Sequence, residues 1–157
     1  VNARRLALIA VGLFLATVVA VLLLTRGGAL LPQREQATVL PLSDCDLQQT
    51  PCTAELPGGG TVTVGFEPRP VKPMQDFTIR LVADGVGLRA AVISFTGVDM
   101  NMGLNRFELE PDGDAFAGGA ILPICVRNRM AWEARLRLRT AAGIYEIPFR
   151  FDTYKQS

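Results

Sequence analysis

Histidine is absent from the chain, and with it go imidazole metal ligands, Ser–His and Cys–His nucleophile pairs and imidazole proton shuttles. Most hydrolase and zinc-enzyme chemistries are thereby excluded. An excess of either charge is also lacking: 16 basic side chains face 15 acidic ones, leaving a formal net charge of +1. Nucleic-acid binding needs clustered Lys and Arg and a high isoelectric point, so nucleic acid is not an expected partner. The three cysteines contain no C-x-x-C pair, which argues against a thiol redox factor. A length of 157 residues allows one domain with an appendage.

The appendage stands out. From Leu6 to Leu24 the chain reads LALIAVGLFLATVVAVLLL, 19 residues without a charge, which at helical rise spans about 28 Å, the thickness of a bilayer core. Arg4 and Arg5 precede it and only Arg26 follows closely. The basic flank is therefore expected to stay in the cytoplasm, with the remainder crossing to lie outside the inner membrane. A cleaved signal peptide is the competing reading, with Gly27-Gly28-Ala29 as small residues for cleavage. The apolar run is longer than a typical signal core of about 7 to 15 residues, which favours a retained anchor over residues 1–26. Residues 27–38 read as a linker and 39–157 as the exported domain.

Beyond Val39 no long helical period occurs. Short segments rich in Val, Ile, Phe and Thr alternate with Gly, Pro, Asp and Asn, the pattern of strands and turns. Strands are expected at Thr61–Phe66, Phe77–Ala83, Arg89–Thr96, Asn105–Leu109, Ala115–Ile121, Trp132–Thr140 and Ile144–Phe151. In WEARLRLR the apolar and charged residues alternate, so Trp132, Ala134, Leu136 and Leu138 should face inward. The arginines between them then form the wet face of a strand rather than an anion-binding patch. Turns are expected at Ala141-Ala142-Gly143 and at Glu110-Pro111-Asp112-Gly113-Asp114. The fold class expected is an all-β immunoglobulin-like sandwich of about seven strands, preceded by one transmembrane helix.

The chain offers little to an enzyme. Asp44 and Asp46, or Asp112 and Asp114, sit in turns where carboxylates cap backbone groups. Gly58-Gly59-Gly60 has no Lys-Ser/Thr pair and no following helix, so it is a turn and not a phosphate cradle. Among the cysteines, three single pairings are open, and an oxidising compartment permits any of them. The short DCDLQQTPC loop favours Cys45–Cys52 as a disulfide, with a C-x6-C metal clip as the alternative. Cys125 is then left over.

Three of the four methionines fall in two stretches, Met100 and Met102 in GVDMNMG and Met130 just after Cys125 in CVRNRM. In an extended chain Met100 and Met102 point to one side, so both thioethers can meet one ion. Thioether and thiolate donors select Cu(I), and a thioether needs no deprotonation. A Cu(I) site of Met100, Met102, Cys125 and Met130 follows, with Trp132 capping it and excluding water. Against it stands the common use of Met and free Cys as core filler. Met74 is expected to pack rather than to ligate.

These residues resemble the FixH/YtkA-like family of membrane-anchored, exported immunoglobulin-like proteins. The likeness rests on the anchor, the strand opening near Pro73-Met74, the loop Met100-Asn101-Met102-Gly103, and the pattern Asp114-Ala115-Phe116-Ala117-Gly118 followed by Met130-Ala131-Trp132-Glu133-Ala134. It covers roughly residues 71–151. The resemblance implies copper delivery during assembly of haem–copper oxidases, with an oxidase subunit or its assembly factor as partner. It supports Met100 and Met102 as ligands. One departure matters: where the family's loop has a histidine after the methionine and glycine, Leu104 follows Gly103 here, so any carried-over site must be all-sulfur. Two functions thus stand as expectations: a non-enzymatic protein that hands Cu(I) to a partner, or a metal-free assembly subunit that uses its β domain for docking.

Overall fold

The computed structural model describes residues 2–27, 36–124 and 126–155, and divides into two units, Val1–Glu35 and Gln36–Ser157. The first unit is the helix α1 (Ala3–Gly27). Its stretch Ala3–Leu23 has a mean hydropathy of 2.9 over 21 residues. That is long and apolar enough to cross a bilayer, as an anchor or as a signal sequence.

The second unit is built of nine strands: β1 (Thr38–Val39), β2 (Cys52–Glu55), β3 (Thr61–Glu67), β4 (Asp76–Asp84), β5 (Leu88–Gly97), β6 (Asn105–Asp112), β7 (Ala115–Ile121), β8 (Arg129–Thr140) and β9 (Ile144–Tyr154). They form one curled sheet in the hydrogen-bonded order β1-β9-β8-β5-β6-β7-β4-β3-β2. All seven strands expected from sequence are present, and β1 and β2 are additional. Two residues carry no readable periodicity, and Cys52-Thr53-Ala54-Glu55 lacks the β-branched run that marks its neighbours. Thr38, assigned to the linker, opens β1, which runs parallel to β9 with Thr38 opposite Tyr145.

The sheet turns over at β6. Residues Asn105–Leu109 pair with β5, whereas Glu110, Pro111 and Asp112 pair with β7. The expected five-residue turn at 110–114 is therefore shorter than its composition suggested. Pro111 is tolerated because β6 has only one hydrogen-bonded neighbour by then, so its missing N–H breaks no ladder on the β5 side. The tight reversal rests on Gly113, whose φ of 62° is a left-handed conformation open to glycine.

Curling brings the apolar faces of the two halves together. Phe66 on β3 contacts Phe95 on β5 and Phe151 on β9, with ring centroids 5.9 and 5.5 Å apart. Trp132, Ala134, Leu136 and Leu138 on β8 are all 0% exposed, as the alternation requires. Leu136 and Leu138 each contribute about 1.5–3 kcal/mol of burial. Cys45 and Cys52 form a disulfide with Cα atoms 5.8 Å apart, pinning the segment before β2.

Candidate functional site

Gly97 is the last residue of β5 and lies opposite Trp132 on β8. One more backbone bond, from Val98 N–H to the Ala131 carbonyl (2.9 Å), extends the pairing before the chain leaves the sheet. Residues 98–104 then form the loop into β6. Asn101 shapes it by accepting the Gly103 N–H at its side-chain oxygen (2.9 Å), and Gly103 adopts φ 73°. Met100 and Met102 are half-buried and pack against the core, while Asn101 between them is exposed. The M-x-M alternation thus puts both thioethers on one side.

Met130 lies on β8 itself, ahead of the expected strand start at Trp132. β8 begins three residues earlier than expected, and Met130 shares the inward parity of Trp132, with 3% exposure. Its terminal Cε fills the space over Gly97. A Cβ built on Gly97 would overlap Met130 Cε and the Met100 carbonyl oxygen and lie 3.2 Å from Met102 Cγ. Each of the two side-chain carbons is bonded directly to its sulfur, so the side chains of Met102 and Met130 both border the space over Gly97, from separate strand ends. Met130 also lines a small void of about 10 Å³ with Ile124 and Arg127, residues flanking Cys125. Cys125 itself lies outside the described residues.

Trp132 is entirely buried, and its indole N–H donates to the Thr153 hydroxyl at 3.0 Å. It lies two residues beyond Met130 on the same side of β8, as a core residue opposite Gly97. Met74 departs from the packing expected of it. It is 59% exposed with φ 60°, and its backbone N–H is held by the Leu122 carbonyl at 2.8 Å. A left-handed turn residue swings its side chain away from the core that β4 enters only at Asp76.

On the opposite, wet face of β8 the charges are laddered. Glu133 is gripped by Arg135 (2.7 Å) and Arg150 (3.3 Å), and Glu146 by Arg135 (3.2 Å) and Arg137 (3.8 Å). Partial burial would raise the Glu133 carboxyl, but the hydrogen bonds and charges of Arg135 and Arg150 outweigh it and hold it below its ordinary value. The hydrogen bond to Glu133 raises Arg135 in turn, against the opposing effect of its burial. These ion pairs fasten β8 to β9.

The side chains that border the space over Gly97 are thioethers, which are soft, neutral donors. Among the described residues no three His, Cys, Asp or Glu side chains gather around one point. The thioethers match a soft, low-charge ion of the Cu(I) kind. What sequence reasoning missed is Gly97: the signal was a glycine ending the Ile-Ser-Phe-Thr strand, where a side chain would have kept the methionines apart.

No protein-family model matches the chain, and no curated protein sequence matches it. Among solved structures it is similar to an engineered protein whose crystal structure was determined at 1.98 Å by a structural genomics consortium, at 15% identity and a TM-score of 0.43. The match covers 65% of this chain and 21% of that one, so the chain spans about a fifth of the other protein's length.

Proposed function

We propose that the chain is a non-enzymatic, membrane-anchored protein whose β domain lies in the periplasm, binds Cu(I) through sulfur and passes it to a partner. The partner belongs to the assembly of a haem–copper oxidase, as the resemblance to the FixH/YtkA-like family implies. The β domain is an immunoglobulin-like sandwich in this reading, its two sheets being the halves on either side of β6. A retained α1 fits the anchor.

The single observation carrying the reading is that Met102 and Met130 both border the space over Gly97, with Met100 on the same loop and Ile124 and Arg127, neighbours of Cys125 in sequence, lining a small void with Met130. Soft neutral donors in a half-buried setting bind Cu(I) without deprotonation. A loop-borne ligand pair suits transfer, because an incoming sulfur or nitrogen can displace Met100 and Met102 before the buried Met130.

The test is a titration of the full chain in neutral detergent with Cu(I), under ascorbate and against a competing chelator. Wild type is expected to bind one equivalent, with loss of affinity in Met102→Leu, Met130→Leu and Cys125→Ser. Leucine conserves volume, so these methionine variants remove sulfur with little loss of packing. Failure of wild type to bind, or equal binding by all variants, would leave the methionines as core filler. A docking module is then the surviving function. That second reading draws on the exposed apolar residues Leu104 (68%), Ile124 (53%) and Val126 (86%) in the loops beside the methionines.

A further inference from the structure

The wet face of the sheet is not uniform. Between β6 and β8 the middle strand β5 presents only short side chains, Ala90, Val92 and Ser94. By register Val92 has Glu108 on one side and Arg137 on the other, and Ser94 has Arg106 and Arg135. Flanking strands of long side chains with a middle strand of short ones make a groove, here of about 340 Å³. That is within the size range of small-ligand sites.

The groove is lined by four arginines, Arg89, Arg106, Arg137 and Arg139, against two carboxylates, Glu108 and Glu110. Farther along the same face, Arg135 is spent on Glu133 and Glu146. Arg89, Arg106 and Arg139 form no ion pair among the described residues, and Arg137 has only a loose one, 3.8 Å from Glu146. Arg89 is there by a deliberate irregularity. Its position in β5 shares the inward parity of Ala91 and Ile93, but the register slips between Leu88 and Ala90. This bulge leaves Arg89 unpaired and exposed at the groove, which is the usual way a bulge re-aims a side chain. A chain of net charge +1 thus concentrates unneutralised guanidinium groups at one concave place.

Against the expectation from sequence that the β8 arginines are only a wet strand face, we propose that this groove is an anion site that takes a phosphate group. β6 and β8 are about 10 Å apart across β5, with Arg106 level with Ser94 and Arg139 level with Ala90, so guanidinium groups from both walls and from the bulge line the space between them. Phosphate offers three or four acceptor oxygens where a carboxylate offers two. It is therefore the anion that several forks grip at once. Glu108 and Glu110 set the limit on charge, favouring one phosphate over a polyanion. The same chemistry is presented by a lipid headgroup and by a soluble phosphate compound.

The experiment is calorimetric titration of the full chain in neutral detergent at low salt, with inorganic phosphate and with dihexanoyl phosphatidylglycerol as separate probes. Saturable binding is expected for at least one probe, weakened fivefold or more in the Arg106→Gln/Arg139→Gln double variant and tightened in Glu108→Gln. Both substitutions face solvent, and an unchanged fluorescence of buried Trp132 verifies the fold. Markedly tighter binding of the lipid identifies a headgroup as the ligand, whereas equal binding identifies soluble phosphate. Absence of saturable binding for both probes, or binding indifferent to the double substitution, overturns the proposal. The copper reading stands or falls separately.

Discussion

Replacing Gly97 by alanine probes packing and metal binding together. The added methyl meets Met130 Cε, Met102 Cγ and the Met100 carbonyl oxygen. Met130 Cε is the end of a flexible side chain and can swing away at about 0.5–1.5 kcal/mol of rotamer strain. The Met100 carbonyl is backbone, so the 98–104 loop must move, and the end of β5 cannot retreat because Gly97 is paired with Trp132. Overpacking of this kind costs about 1–3 kcal/mol. Against it, alanine stabilises by about 0.4–1 kcal/mol through the unfolded chain, because Gly97 is not among the glycines with positive φ. The expected net loss is about 1–2 kcal/mol. Urea unfolding followed by the fluorescence of Trp132, the one tryptophan, reads it as a lowered midpoint at constant slope. Gly119→Ala on β7 is the control, since nothing lies within 4 Å of its Cβ position. With the sulfurs pushed apart, Cu(I) affinity should fall about tenfold or more in Gly97→Ala. Stability equal to or above wild type would refute the packing argument. Lowered stability with unchanged Cu(I) affinity would refute the metal site alone.

Thr153→Val should cost about 1–3 kcal/mol in the same assay, because the buried indole N–H of Trp132 loses its acceptor at 3.0 Å. Removing the disulfide as Cys45→Ala/Cys52→Ala, across a sequence separation of 7, should lower stability by about 2.5 kcal/mol on the loop-entropy estimate. A dithiothreitol-treated wild type melting with the variant is the check. Glu133→Gln should be less stable than wild type at neutral pH by about 1 kcal/mol, the size of a pair kept modest by partial solvent screening. Because the folded carboxyl lies below its ordinary value of 4.5, its contribution is complete above that value. It is lost as pH falls through the lowered one, so the gap between the two proteins should close in acid. A gap that is constant with pH would show that Glu133 acts by packing and not by charge.

Much of this protein was legible because its determinants are periodic. A charge-free run from Leu6 to Leu24 can only be a long apolar helix, and the alternation in WEARLRLR states which face of β8 is dry without reference to any partner. Short-range chemistry was equally readable: Cys45 and Cys52 are close along the chain, and they pair. Tertiary structure decided what depends on contacts between distant residues. β1 is a strand only because β9 offers it an edge, and β6 ends where it does because the sheet curls there from β5 to β7. β8 starts at Arg129, three residues before the expected Trp132, and pairing with β9 there is what makes Met130 part of the strand. Arg89 left the core side because the register slips beside it. The space that Met102 and Met130 both border needs Gly97, which is distant from Met130 in sequence and acts by having no side chain. Periodicity in a sequence reports which way a residue faces, whereas an empty space over a glycine exists only once two strands have been laid side by side.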